Sequence, residues 1–181
     1  MIYVFFAQGF EEIEGLTVVD VLRRANLETQ MVGVGAKRIT GSHGITVECD
    51  LTTEEISLTQ ALQMVVLPGG LPGTTNLEQD ETVQRAIDYC TEHGKYLCAI
   101  CAAPSILGHK GLLEGKRAIC FPGFEKELYG AILSEEPVCI DGNIVTAKGM
   151  GVATEFSLEL VGCLLGEETK NTLKASLQCR G

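Results

Sequence analysis

Positive charge is scarce in this sequence of 181 residues. Lys and Arg together number 14 against 24 Asp and Glu, which gives a net charge of −10 at pH 7 and a pI near 4.8. A protein that binds nucleic acid needs a basic patch to neutralise phosphates, so we exclude nucleic acid as a partner. The acidic excess is spread along the chain and indicates only a well-solvated surface.

Long apolar runs are also lacking. No stretch approaches the roughly 20 consecutive apolar residues of a membrane-spanning helix, so we expect no membrane insertion. The apolar segment at residues 1–6 is short and has no basic leader and no typical cleavage site, so we interpret it as a β-strand and not as a signal peptide. We therefore expect a cytoplasmic protein whose eight cysteines are reduced thiols.

The sequence has no convincing metal or cofactor motif. Cys98 and Cys101 form a Cys-x-x-Cys pair, but Cys98 falls inside a predicted strand, whereas both thiols of a thioredoxin-like motif lie in the first turn of a helix. No second pair of ligands follows at metal spacing. The glycine-rich turn at residues 68–73 lacks the Gly-Lys-Ser/Thr ending of a phosphate loop. We expect no metal and no cofactor.

What the sequence does contain is an alternation of short buried strands and amphipathic helices. We predict strands at 2–6, 29–34, 45–49, 64–67, 96–100, 117–121, 138–140 and 143–147. We predict helices at 11–26, 81–93, directly after Cys101 to near 108–111, 152–165 and 168–177. Asp141-Gly142 predicts a hairpin turn. The pattern predicts one α/β domain over residues 1–181, a three-layer sandwich with a mostly parallel sheet.

Cys101 is the most informative residue in the chain. The strand at 96–100 ends directly before it, and a helix-like run follows at once, which is the context of a nucleophile elbow. The residues two before and two after it, Ala99 and Ala103, are small, as the tight turn requires. Because N–H groups at the start of a helix favour negative charge, we predict an unusually acidic, reactive thiol. The alternative is a buried structural cysteine.

Two further loops are predicted to meet Cys101, because ligands bind beyond the carboxyl ends of parallel strands. In the loop at 7–14, Glu14 is the candidate partner: a carboxyl kept protonated in a dry pocket donates a hydrogen bond to a thiolate and moves protons on a substrate. The alternative is a solvated first-turn acid. The N–H groups of Gly70 and Ala102 are candidates for an oxyanion hole, or Gly70 belongs to an ordinary turn. No histidine adjoins Cys101, although His43 lies in a loop able to reach a pocket.

Five segments together resemble the ThiJ/PfpI superfamily, and within it the branch of DJ-one and YajL. They occur in family order and span nearly the whole chain: AQGFEEIE (7–14), VDVLRRA (19–25), VVLPGG (65–70), AICAAP (99–104) and GMGVATEF (149–156). The resemblance implies a flavodoxin-like fold, a homodimer and a reactive, oxidation-prone Cys101 paired with a buried Glu14. It also implies a pocket at the dimer interface lined by Asp20, Arg24, His43, Gly69 and Phe121.

Two departures from the family pattern affect the expected chemistry. Phe121 stands where some relatives carry His, which weakens any Cys-His-acid triad, and Ala102 stands where the peptidase-like members carry His, which argues against a protease. We expect a glutathione-independent glyoxalase or deglycase that acts on small reactive carbonyls such as methylglyoxal. The alternative is a non-catalytic oxidative-stress sensor or redox-regulated chaperone that uses the same cysteine.

Overall fold

The computed structural model describes residues 1–179 and is organised around a central β-sheet. The strands are β1 (Ile2–Phe6), β2 (Thr29–Gly33), β3 (Arg38–Thr40), β4 (Thr46–Glu48), β5 (Leu51–Thr52), β6 (Met64–Leu67), β7 (Tyr96–Ile100), β8 (Arg117–Ala118), β9 (Ile132–Leu133), β10 (Val138–Asp141) and β11 (Ile144–Ala147). The helices are α1 (Glu12–Arg24), α2 (Gly73–Gln79), α3 (Glu81–Glu92), α4 (Pro104–His109), α5 (Ala153–Leu165) and α6 (Glu167–Ser176), with 3-10 turns at Glu125–Glu127 and Met150–Val152.

The sheet has seven strands in the order β10-β11-β7-β6-β1-β2-β5. Every neighbouring pair is parallel except β10 and β11, which form the hairpin predicted at Asp141-Gly142. The five central parallel strands follow the doubly wound, flavodoxin-like order. The predicted fold is therefore confirmed, and the carboxyl ends of β1, β6, β7 and β11 meet at one edge of the sheet.

Apolar side chains cover both faces of the sheet, because the side chains of a strand alternate between its two faces. On one face Val4 and Phe6 pack with Leu22 of α1 and Phe156 of α5, whereas on the other face Phe5 packs with side chains of α3 and α4. These two cores make the three layers. No helix within residues 1–179 has the length and apolar character needed to cross a membrane.

Several element boundaries differ from the sequence-based prediction. The helix expected from Cys101 begins only at Pro104, because residues 101–103 form the turn out of β7. The strand expected at 117–121 is reduced to β8, where the N–H of Ile119 donates instead to Thr146 Oγ1 (3.0 Å). Helix α2 was not predicted, because it follows a Pro- and Gly-rich turn and buries too few apolar side chains to give a helical period.

Candidate active site

Cys101 lies in a strained turn at the carboxyl end of β7. Its φ is +65°, a left-handed conformation that costs a residue with a side chain roughly 1–2 kcal/mol. Backbone hydrogen bonds hold it there: its N–H donates to Ala147 O (2.9 Å), and its carbonyl accepts from the N–H of Phe121 (2.8 Å). The turn therefore has the geometry of the predicted nucleophile elbow and directs the half-buried thiol beyond the sheet.

Two backbone N–H groups converge on the Cys101 sulfur. Those of Gly70 and Ala102 lie near enough to the sulfur that each lowers the pKa of the thiol. Within residues 1–179 neither N–H donates to a backbone carbonyl. Glycine is required at position 70 because its φ is +89° and an added Cβ would lie 2.4 Å from Glu11 N. These donors are therefore available to an oxygen that forms next to the sulfur.

Glu14 is completely buried beside Cys101. Its Oε2 accepts the N–H of Gly69 (2.8 Å), while its Oε1 is buried without a hydrogen-bond partner of good geometry. A Cβ added at Gly69 would lie 2.7 Å from Cys101 Cβ and 2.8 Å from Glu14 Oε2. Only glycine at position 69 therefore leaves room for the thiol and the carboxyl to approach each other.

The start of α1 explains why an acidic side chain points inward. Glu11 caps the helix through a hydrogen bond from the N–H of Glu14 to its Oε2 (2.9 Å). The buried face then includes Glu14, Gly15, Val18 and Leu22, at helical spacing. The helical spacing of Ile13, Leu16 and Val19 predicts from the sequence that Ile13 lies on the apolar face. That prediction is wrong, since Ile13 is 45% exposed whereas Glu14 is 0% exposed. Apolar periodicity alone does not identify a buried glutamate on such a face.

The electrostatics of the pair correct our prediction of an unusually acidic thiol. Burial, followed by repulsion from the Glu14 carboxylate and a hydrogen bond to it, raises the pKa of Cys101 to about 12, and the two N–H groups lower it only partly. Burial also raises the pKa of Glu14 to about 7, although the hydrogen bond with Cys101 opposes this. The local sequence suggested the N–H groups and the turn, but it did not reveal the desolvation or the carboxylate.

The two groups therefore compete for one proton near neutral pH. Above about pH 7 the carboxylate of Glu14 faces the protonated thiol of Cys101. A carboxylate with a pKa near the working pH is well suited to remove a proton during a reaction. The arrangement thus supports proton transfer from thiol to carboxylate as sulfur attacks, and not a thiolate that exists beforehand.

Stability should fall as the pH rises because of Glu14. Its folded-state pKa of about 7 lies above the ordinary glutamate value of 4.5, so the folded protein binds more protons than the unfolded chain between these two pH values. We expect the free energy of unfolding to lose about 3 kcal/mol from this group between pH 4.5 and 8, at about 1.4 kcal/mol per pKa unit. Urea unfolding of the wild type and Glu14→Gln at pH 5 and pH 8 measures this. The Glu14→Gln variant should be more stable relative to wild type at pH 8 than at pH 5. If the free energy of unfolding changed by the same amount between these pH values in both proteins, the prediction would be wrong.

A second polar cluster joins the start of α1 to the loop before β4. His43 Nδ1 lies 2.9 Å from Glu12 Oε2, and the His43 N–H donates to Glu12 Oε1 (2.7 Å). Burial raises the pKa of Glu12, but its hydrogen bonds to His43 and Ile45 outweigh this effect, so its pKa lies below the usual value. The hydrogen bond to Glu12, followed by its charge, raises the pKa of the exposed His43.

Among residues 1–179, the side chains of this cluster, together with Glu11, are placed so that they could hold a metal ion. Glu11, Glu12 and His43 each offer a ligand atom, and these atoms lie within 4.8 Å of one another. The Glu12 carboxylate already accepts hydrogen bonds from His43, Ser42 and Ile45. The observed contacts therefore describe an ion pair between Glu12 and His43 that holds this loop against α1.

The remaining predicted site residues occupy two different places. Phe121 lies beside Cys101 through their backbone hydrogen bond and is 47% exposed. Asp20 and Arg24 form an exposed ion pair (2.6 Å) farther along α1, about 9 and 15 Å from Glu14 along the helix axis at 1.5 Å per residue. Within one chain, the structure does not bring this pair to the thiol.

Met150 is a site residue that our sequence reasoning did not single out. Its N–H lies near the Glu14 carboxyl and lowers the pKa of that carboxyl, after the larger effects of burial, Cys101, Gly69 and Glu11. The only signal in the sequence was that residues 149–156 belong to the segments resembling a known superfamily. The loop after β11 thus joins those after β1, β6 and β7 around the thiol.

These features define a class of protein: a flavodoxin-like α/β fold with a cysteine on a nucleophile elbow and a buried glutamate beside it. The family model described as DJ-1/PfpI matches residues 1–162. The chain belongs to the DJ-1/PfpI family, in agreement with the resemblance seen in the sequence.

Individual relatives agree with this assignment. The chain is 37% identical over 165 residues to Protein DJ-1 homolog B of Arabidopsis thaliana, covering 90% of this chain and 37% of that protein. It is 32% identical over 178 residues to the Parkinson disease protein 7 homolog of Danio rerio, covering 96% and 94%. The chain thus spans less than half the length of the Arabidopsis relatives.

Solved structures share the fold over almost the whole chain. A DJ-1 superfamily protein from Salmonella typhimurium superposes with a TM-score of 0.93 at 30% identity, covering 99% of this chain and 98% of that one. Toxoplasma gondii DJ-1 in an oxidized form gives a TM-score of 0.93 at 29% identity, with coverages of 98% and 97%.

Two more distant relatives carry names that state an activity. One is a glutathione-independent glyoxalase from Caenorhabditis elegans, 27% identical, with 90% of this chain and 87% of that protein covered. The other is a deglycase from Pyrococcus abyssi, 29% identical, with coverages of 90% and 98%. Glyoxalase- and deglycase-type functions therefore occur among the relatives of this chain.

Proposed function

We propose that this protein is a cysteine-dependent, glutathione-independent glyoxalase or deglycase that acts on small 2-oxoaldehydes such as methylglyoxal, or on their early adducts. The observation that carries the proposal is the pairing of the elbow thiol of Cys101 with the buried carboxyl of Glu14, whose pKa is about 7. The activities named for the nematode and archaeal relatives support the same class of chemistry.

The first step joins the sulfur to the aldehyde carbon. Glu14 accepts the thiol proton as Cys101 attacks, and the carbonyl π electrons move onto oxygen. The N–H groups of Gly70 and Ala102, which converge on the sulfur, stabilise this oxyanion. Transfer of the proton from Glu14 to the oxygen gives a neutral hemithioacetal and restores the carboxylate.

The second step moves a proton between the two carbons. The Glu14 carboxylate removes the hydrogen of the former aldehyde carbon, and the electron pair passes to the neighbouring carbonyl to give an enediolate. Glu14 returns this proton to the second carbon, and the hydroxyl proton on the first carbon passes to the oxygen on the second, which gives a 2-hydroxy thioester of Cys101. Water then releases a 2-hydroxy acid and the free thiol. The sum is methylglyoxal plus water to lactate, so the reaction needs no external oxidant or reductant.

We further propose that the protein works as a cytoplasmic homodimer. All eight cysteines are free thiols in the structure, consistent with a reducing compartment. Exposed groups on α1, including Ile13 and the Asp20–Arg24 ion pair, suit a contact between two copies.

The direct test of the activity is product formation by the wild-type protein without glutathione or metal. Incubation with methylglyoxal, followed by proton NMR, should show lactate accumulating over many turnovers. If methylglyoxal instead disappears only in proportion to the protein thiols and amines, with no lactate, the protein merely forms adducts with it and the proposal fails.

A redox role for the same cysteine is the second candidate function. The oxidized state of the Toxoplasma gondii relative favours it, since that protein shares the fold. Oxidation by peroxide proceeds through the thiolate, however, and burial, followed by the Glu14 carboxylate, raises the pKa of Cys101. We therefore favour the enzyme. Selective sulfinic acid formation at Cys101 under mild peroxide, with no lactate from methylglyoxal, would reverse this preference.

A further inference from the structure

Three exposed apolar side chains belong to the loops that build the candidate active site. Leu71, Phe121 and Met150 are 56%, 47% and 49% exposed, whereas most large apolar side chains of the described residues are buried. They belong to three different loops, which follow β6, β8 and β11. An exposed apolar cluster beside a reactive group is informative, because isolated exposed apolar residues need no explanation but clustered ones do.

Each of the three is attached to the site through the backbone. Leu71 directly follows Gly70, whose N–H reaches the Cys101 sulfur. The N–H of Phe121 donates to the carbonyl of Cys101 itself (2.8 Å). The N–H of Met150 lies near the carboxyl of Glu14 and lowers its pKa, after the larger effect of burial. The same turns that build the polar site therefore carry the three side chains.

Phe121 and Met150 are also neighbours of each other. A Cβ added at Gly149, the residue before Met150, would lie 3.1 Å from Phe121 Cδ2. The aromatic ring therefore lies against the backbone that leads into Met150. We call Leu71, Phe121 and Met150 the apolar rim; none of the three has a charged or hydrogen-bonding side-chain group.

We propose that the apolar rim selects 2-oxoaldehydes whose ketone carbon carries an apolar group larger than methyl. The inference rests on the proposed function. The polar groups at the thiol are committed to the reacting atoms: two N–H groups to the oxyanion and Glu14 to the protons. The substituent on the far carbon of the substrate therefore meets apolar surface, and its removal from water favours a branched alkyl or aryl group.

The test compares two aldehydes of similar carbonyl reactivity, methylglyoxal and 4-methyl-2-oxopentanal. In the second aldehyde an isopropyl group replaces one hydrogen of the methyl group of methylglyoxal. Contact of this isopropyl group with the apolar rim should make kcat/KM about tenfold higher than for methylglyoxal, within the range for small apolar groups in enzyme pockets. Both products are 2-hydroxy acids and can be followed by NMR in the same assay.

Substitutions in the rim should abolish this preference. In Phe121→Ser and Met150→Ser, the ratio of the two kcat/KM values should fall towards unity. Leu71→Ser provides a third variant, in a different loop, if either of the others is unstable. Ile132→Ser is the matched control: Ile132 is 58% exposed on β9 and has no part in the site, so its ratio should equal that of the wild type.

The outcomes separate this inference from the proposed function. If the wild type makes no 2-hydroxy acid from either aldehyde, the proposed function fails. If it makes both with a ratio near one, or if the rim variants keep the wild-type ratio, the function stands and the rim does not select substrate. Sedimentation of the rim variants tests a further outcome. If a dimer of the wild type dissociates in these variants while the ratio of the two kcat/KM values stays unchanged, the rim is a contact between two copies of the chain and the inference is overturned.

Discussion

Cys101→Ser should lose lactate formation by a factor of roughly 10³ or more. The hydroxyl is a far weaker nucleophile than the thiol, and its proton is much harder to remove. Serine is nearly isosteric and adopts the same strained turn, so the fold should be retained. Initial rates with methylglyoxal, together with circular dichroism of the variant, measure both properties.

The matched control for this variant is a thiol outside the site. Cys179 lies beyond α6, near the end of the described residues, and Cys179→Ser should retain the full rate. If Cys101→Ser kept more than about a tenth of the wild-type rate, the covalent route would be wrong. General acid–base catalysis alone accelerates a reaction by about 10²–10⁴-fold over the uncatalysed rate, and such a variant would show that this contribution suffices without a nucleophile.

Glu14→Gln should lower kcat by about 10²–10⁴-fold, the usual contribution of a general base. The amide keeps the shape of the side chain and the acceptor for the N–H of Gly69, but it cannot take a proton from the thiol or from carbon. In the wild type, kcat/KM should rise with pH towards a plateau above pH 7, where Glu14 is ionised. That rise should be absent from the residual activity of the variant.

Glu11→Gln is the matched control for Glu14→Gln, because it also removes a buried carboxylate from the start of α1. Its amide oxygen still accepts the N–H that caps α1, and its lost charge reduces the repulsion that helps to raise the pKa of Glu14. We expect this variant to lose less than about tenfold in kcat, with the rise in the pH profile moved to lower pH. Equal losses in Glu11→Gln and Glu14→Gln would point to general electrostatics and not to a base at position 14.

Much of the architecture could be predicted because it depends on local patterns. The alternation of apolar strands and amphipathic helices fixed the class of fold, and parallel strands bring their carboxyl-end loops together. The small residues around Cys101 indicated the tight turn, which the positive φ bears out. These features require only the chain order and the periodicity of the side chains.

The charge state of the site was not predictable in this way. The pKa of Cys101 depends on burial and on a carboxylate that is 87 residues away in sequence, and these two effects exceed that of the N–H groups. Likewise, Ile13 and Glu14 are adjacent in sequence, and which of them is buried is decided by the cap at Glu11 and by packing on the sheet. Tertiary contacts therefore reversed the expected acidity while leaving the geometry intact.

The central claim is that burial and the Glu14 carboxylate together hold the thiol of Cys101 protonated, and that Glu14 then takes its proton. The rate of alkylation of Cys101 by iodoacetamide, followed by mass spectrometry of its peptide from pH 6 to 10, tests this directly in the wild type and in Glu14→Gln. Removal of the carboxylate should make Cys101 react at least about tenfold faster at pH 8, the equivalent of one pKa unit, even as lactate formation collapses. Alkylation that is equally fast in both proteins would show that Glu14 does not control the proton on this sulfur, and the account would be wrong.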